Sequence, residues 1–172
     1  ELETHNWQAI RTNLNHLPIE GVDGNASENT ILEVLTKYGL SRTSDGTVQV
    51  EIWGSGKPMR EFLWSEDMAD ACVFLMQNQE FTDTYPIGSS EIRNTHINIG
   101  TGEDISISNL AQVIQKQIGF SGLFYFNSDK PDGTQKKLTD VTKLNKLGWK
   151  HTIDLKKGIA RAHDWYINSL KK

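Results

Sequence analysis

Cys72 is the sole cysteine, so no internal disulfide can form. Long apolar runs are missing as well: no window approaches the roughly 18 to 20 residues of a membrane-spanning helix, and the opening ELETHNWQAI is neither basic nor apolar enough for a signal peptide. Positive charge is not in excess. With 18 Lys+Arg against 22 Asp+Glu the net charge is −4, which argues against nucleic acid as a partner. These absences lead us to expect a reducing, cytoplasmic setting with no membrane partner. The chain starts without Met and reads as a piece of a longer protein.

Several catalytic signatures are also lacking. His5, His16, His96, His151 and His163 are scattered without the paired spacing of a zinc site, so no metal is expected. There is no G-x-S-x-G elbow and no P-loop, and none of the four tyrosines is followed by Lys four positions later. The stretch WGSGKPM supplies Gly54 and Gly56. A dinucleotide fingerprint needs a third glycine, and Pro58 would interrupt the helix that such a motif opens.

What is present is an apolar fraction of 37% with five Trp and six Phe over 172 residues, enough for a folded domain with its own core. Helical spacing of Trp7, Ile10, Leu14 and Leu17 predicts a helix over about 6–16 capped by Asn6. Ser27 caps a second, with Ile31, Leu35 and Tyr38 on one face and Gly39 as its stop. Val48, Val50 and Ile52 alternate as in a half-buried strand, and REFLW follows as a short one. From Ser65, SEDMADACVFLMQ reads as a helix buried on most of its surface, which would make Cys72 a buried small hydrophobe. HINIG (96–100) and LFYFN (123–127) are strand candidates. Between them a helix is expected with Ser106 as cap, Gly119 as stop, and Ile107, Leu110, Ala111, Ile114 and Ile118 on one face. A short helix in DVTKLNKLG and a last one with Leu155, Ile159, Ala162 and Tyr166 inward complete an α/β pattern with α+β character.

Two polar stretches could carry chemistry. Arg60, where the glycine loop enters a strand, has a planar fork suited to phosphate; a salt bridge to Glu61 or Asp67 is the alternative. In KPDGTQKKLTD, Pro131-Asp132-Gly133 is a tight-turn signature followed by Lys136 and Lys137, which a solvated surface turn would also explain.

Read together, VEIWGSGKPMREFLWSEDMADA, HINIGTGEDISISNLAQVI and SDKPDGTQKKLTDVTKLNKLGWKHTIDLKKGI resemble, from about residue 48 onward, the C-terminal half of the GDP-L-fucose synthase family. These are extended short-chain dehydrogenases/reductases. The resemblance implies a parent enzyme that epimerises GDP-4-keto-6-deoxy-D-mannose at C3 and C5 and reduces it at C4 with NADPH. By the same resemblance Trp53, Arg60, Asp132 and Lys137 are the substrate-binding residues, with Lys136 the rival of Lys137. The family's NADP-binding Rossmann domain and its Ser, Tyr-x-x-x-Lys, Cys and His set lie upstream, so no catalytic or cofactor-binding residue is expected here. Residues 1–47 are expected to be a two-helix insertion packed on a nucleotide-sugar-binding domain formed by 48–172. The partner implied is a GDP-linked 4-keto-6-deoxy sugar. The parent would be a homodimer through helices of the missing half, and this piece monomeric and inactive. One departure is Trp64-Ser65-Glu66, where the family commonly reads His-Val-Asp. The substrate domain of another nucleotide-sugar epimerase or dehydratase, and a non-catalytic nucleotide-sugar-binding module, remain the alternatives.

Overall fold

The computed structural model describes residues 1–169. Packing divides the chain into two compact units, one from Glu1–Gly56 with Phe120–Gly133 and one from Lys57–Gly119 with Thr134–Lys172.

In the first unit, α1 (Trp7–His16) starts where the Asn6 side chain accepts from the Ala9 amide, and α2 (Glu28–Lys37) where Ser27 accepts from Thr30. Each cap satisfies an amide that the first helical turn leaves unpaired. Gly39 follows α2 in the left-handed region, φ 82°. Ile10 and Leu14 of α1, Ile31 of α2, Leu2 and Val48 form the core, with Trp7, Leu35 and Phe120 against it. Leu17 and Tyr38, expected inward, lie at helix ends and are exposed. Arg11 ties α1 to the following turn by donating from Nη1 to the carbonyls of Gly24 and Ala26, both at 2.7 Å. The sheet runs β1 (Leu40–Arg42), β2 (Val48–Trp53), β5 (Leu123–Asn127), with β1 antiparallel and β5 parallel to β2. α1 and α2 of residues 1–47 pack on Val48 of β2 and on Phe120, within one unit that runs to Gly56.

In the second unit, β3 (Met59–Glu61) is central between β4 (Asp104–Ser106), antiparallel, and β6 (Lys136–Lys137), parallel. Around them lie α3 (Ser65–Asn78), α4 (Ile107–Ile118), α5 (Thr142–Lys146) and α6 (Leu155–Ser169). α4 has the expected ends, Ser106 accepting from Asn109 and Gly119 left-handed at φ 69°. Ala71, Leu144 and Trp149 are the buried core.

Three expectations fail in this unit. HINIG forms no strand: Ile97 and Ile99 do pack on the core, but no ladder pairs 96–100 and Asn98 bonds instead to the Asp140 carbonyl. α3 is not buried all round. Ala71 faces the core while Met68, Cys72, Val73 and Met76 (84% exposed) find no cover among the described residues. In α6, Leu155 and Ile159 are half-buried, but Ala162 and Tyr166 lie outward, since the helix runs past the residues it packs on. No helix among the described residues is long and apolar enough to cross a membrane.

Candidate functional site

The glycine loop opens the site. Trp53 ends β2, and Gly54 and Gly56 follow with φ of 84° and 72°, a conformation L side chains rarely adopt. Asp132 closes over the loop from the Pro131-Asp132-Gly133 turn: its Oδ1 accepts from the Ser55 amide at 2.7 Å and its Oδ2 from the Ser55 hydroxyl at 2.6 Å. A Cβ at Gly54 would collide with Asp132 Oδ1, so glycine is required there for space as well as for φ. The same bond shows what this loop is not. A phosphate cradle needs free amides, and the Ser55 amide already holds a carboxylate. Asp132 thus acts on the loop itself, and Ser55, its partner, carried no signal in the sequence beyond lying between two glycines.

Trp53 is 71% exposed, with Lys130 Nζ 5.2 Å from its ring centroid, within cation–π range. It stands on the outer face of β2, not in the core.

Arg60 and Lys137 are brought together in the second unit as register partners on β3 and β6. Register partners project to the same side of a sheet. Lys136 pairs with Met59 instead, hence faces the opposite side, where its Nζ meets Asp104 Oδ2 at 3.4 Å. This alternation separates the two lysines: one cation beside Arg60, one neutralised behind it. Arg60 Nη1 donates to the carbonyls of Met59 (2.7 Å) and Thr134 (2.6 Å), which fix the guanidinium without cancelling its charge.

Neither acid considered as a salt-bridge partner takes Arg60. Glu61 projects to the other face and accepts from the amides of Thr101 (2.6 Å), Gly102 (2.7 Å) and Thr139 (3.0 Å), and from both threonine hydroxyls. Burial pushes its carboxyl up, but these bonds, led by the Thr139 hydroxyl, outweigh it and hold the pKa below its ordinary value. Asp67, 5% exposed, accepts from the Thr152 hydroxyl (2.8 Å) and the amides of Thr152 (3.2 Å) and Ile153 (2.9 Å). Its pKa is also lowered: burial opposes this, the Ile153 and Thr152 bonds prevail, and His151 adds a favourable charge. Among the described residues no Asp or Glu stands within ion-pair distance of Arg60 or Lys137. Two cations side by side on neighbouring strands repel, an arrangement that an anion would relieve. Arg60 also lines a cavity of about 210 Å³ with Phe62, Ile105, His151 and three acids, Glu103, Asp104 and Asp154, none of them within ion-pair distance of it. Asp154 is already engaged, capping α6 through the Lys157 amide and pairing with Lys157 Nζ at 3.4 Å.

The departure at Trp64-Ser65-Glu66 stays local. Trp64 Nε1 donates to Glu66 at 3.1 Å and Arg161 of α6 lies 5.9 Å from the indole centroid.

Residues 5–100 match the model of the NAD dependent epimerase/dehydratase family. The chain is 39% identical to GDP-L-fucose synthase of Escherichia coli (strain K12) over 143 residues, 83% of this chain and 44% of that protein. It is 33% identical over 166 residues to putative GDP-L-fucose synthase 2 of Arabidopsis thaliana, 96% of this chain and 47% of that one. Among solved structures, a GDP-6-OMe-4-keto-L-xylo-heptose reductase from C. jejuni superposes with a TM-score of 0.80 at 39% identity, covering 98% of this chain and 44% of that one. The chain spans about half the length of the relatives it matches. Coverage of 98% takes in nearly all of residues 1–47.

Proposed function

The chain belongs to the NAD dependent epimerase/dehydratase family, and from that premise we propose that it is the GDP-sugar-binding part of an epimerase–reductase of the GDP-L-fucose synthase type. The parent enzyme would convert GDP-4-keto-6-deoxy-D-mannose to GDP-L-fucose. The observation that carries this reading is the Arg60–Lys137 register pair, two uncancelled cations at strand positions that a diphosphate would neutralise. Trp53 supplies a flat wall for the ligand, and Asp132 contributes by holding the loop that follows Trp53.

The residues present do not fit NADPH. The glycine loop lacks the third glycine, its Ser55 amide is taken, and no Tyr-x-x-x-Lys pair occurs. We place the cofactor-binding and catalytic residues outside this chain and assign none of the 172 a catalytic role. The uncovered apolar side of α3 suits the packing of those further residues, in a cytosolic, homodimeric parent.

A GDP-heptose reductase is the second reading. It is favoured by one observation: the heptose reductase structure superposes over 98% of the chain with a TM-score of 0.80 at 39% identity.

Calorimetry on the whole protein with GDP, GDP-mannose and UDP-glucose tests the shared part of both readings. Both GDP compounds are expected to bind more tightly than UDP-glucose; failure of both to bind a folded sample overturns the proposal. NADPH oxidation with GDP-4-keto-6-deoxy-D-mannose against a GDP-linked 4-keto heptose then separates the two.

A further inference from the structure

A cavity of about 580 Å³ on the outer face of the first unit's sheet is lined by Lys37, Tyr38, Glu51, Trp53, Asn127 and Lys130. Its volume lies within the usual range for small-ligand pockets. Lys37, Tyr38 and Asn127 are already hydrogen-bonded, and Lys130 lies over the Trp53 ring. Lys37 and the Tyr38 hydroxyl both donate to Glu20, at 2.6 to 2.8 Å. Asn127 donates from Nδ2 to Glu51 Oε1 at 2.7 Å and accepts from the Asp129 amide at 3.1 Å. Glu51 Oε2 is different, accepting no hydrogen bond from the described residues, and Glu51 forms no ion pair with them. Glu51 is thus a half-buried side chain in the cavity wall, one oxygen held by the Asn127 amide and the other left to accept from a donor in the cavity.

Glu51 and Trp53 are two apart on β2, so they project to the same face about 6.7 Å apart. A purine stacked on Trp53, taking the place of the Lys130 ammonium that lies 5.2 Å from the ring centroid, would set its hydrogen-bonding edge at about that lateral distance. Guanine is the base whose edge carries two adjacent donors, N1–H and the 2-amino group, matched to one carboxylate. Adenine would present a bare ring nitrogen and be repelled, and hypoxanthine would lack the amino donor.

We propose that Glu51 is the residue that selects guanine, its carboxylate accepting from N1–H and the 2-amino group of a base stacked on Trp53. This rests on the GDP-sugar reading and extends it to a residue that the family resemblance did not single out. Asn127 is a positioning residue that holds Oε1 so that Oε2 points to the ligand edge.

The test is calorimetry on the whole protein with GDP, IDP and UDP. The unaltered protein is expected to bind GDP roughly tenfold more tightly than IDP, the effect of one hydrogen bond to a charged group. Glu51→Gln, which replaces one acceptor by a donor, is expected to weaken GDP roughly tenfold to a hundredfold and bring GDP and IDP close to equality. Asn127→Ala, judged by the same ratio, is expected to erode the preference without abolishing binding. Should Glu51→Gln fail to fold, Glu51→Asp keeps the charge and is expected to retain a preference for GDP. Equal binding of GDP and IDP by the unaltered protein, or an unchanged ratio in folded Glu51→Gln, overturns the inference while the GDP-sugar reading stands. Binding of UDP with no binding of GDP overturns both.

Discussion

In the unit formed by Glu1–Gly56 and Phe120–Gly133, Ile31 is wholly buried and Ile10, Leu14, Val48 and Leu2 close around it from two helices, a strand and the chain's start. The unit formed by Lys57–Gly119 and Thr134–Lys172 buries Leu144, Ala71 and Trp149, but much of its irregular chain hangs on two carboxylates. Glu61 gathers 101–102 and 139; Asp67 gathers 152–153. Carboxylates tie the first unit too, at Glu20, Asp45 and Asp132, but those bonds are exposed, whereas Glu61 and Asp67 in the second hold their donors part-buried and only while ionised. The two should therefore fail under different insults, and each holds candidate residues of its own, Trp53 and Asp132 in the first and Arg60 and Lys137 in the second.

The largest expected effect is at Ile31. Ile31→Ala removes a fully buried branched side chain and should cost about 3 to 4 kcal/mol. Hydrogen exchange read by mass spectrometry should show protection lost across 1–56 and 120–133 and retained at 65–78. Uniform loss in both units would dissolve the contrast.

Glu61→Ala should cost about 2 to 3 kcal/mol by orphaning the Thr101, Gly102 and Thr139 amides. Protection should fall in the second unit first. Acid should imitate this substitution. Glu61 and Asp67 both have folded pKa values below their unfolded ones, so their contribution is complete above the unfolded values, near 4, and is lost as pH falls through the folded ones. Exchange measured between about pH 5 and 3 should open the second unit before the first. The reverse order would refute the assignment.

Arg60→Ala comes next, weakening GDP-sugar binding by about 1.5 to 3 kcal/mol and leaving NADPH affinity of the whole enzyme unchanged. Equal loss of both would signify a folding defect. Smallest is Lys136→Ala. Its pair with Asp104 is exposed on the lysine side but largely buried on the acid side, where Asp104 Oδ2 has no hydrogen bond, so Lys136→Ala should cost about 1 kcal/mol of stability and leave ligand titration unmoved, whereas Lys137→Ala should weaken the ligand.

The helices were readable because their ends are local chemistry: Asn6, Ser27 and Ser106 each bond an amide three residues on, and Gly119 needs nothing but its own freedom. The strand at 48–53 was readable from alternation and that at 123–127 from its short aromatic run. What escaped was set by partners far along the chain. Glu61 and Asp67 find their donors 40 to 86 positions away, and no local pattern distinguishes such acids from solvated ones. HINIG carries a strand's alternation and has no strand to pair with. α3 is apolar on a side that nothing described covers, which composition reads as burial. For the candidate site, the identities of Trp53, Arg60, Asp132 and Lys137 came from motif resemblance. Lys137 was chosen over Lys136 from the same resemblance; that the two lysines face opposite sides was not legible, because β6 is two residues that look like turn until they pair with β3.

The bonds from Ser55 to Asp132 span 77 positions. On a ribosome, Trp53 and the glycines that follow it would be made long before the carboxylate that secures them has left the exit tunnel. Competence to grip a ligand at this loop therefore comes late in synthesis, after the first helices have had time to settle, and a chain released before position 132 would keep Trp53 with its neighbouring loop unfastened.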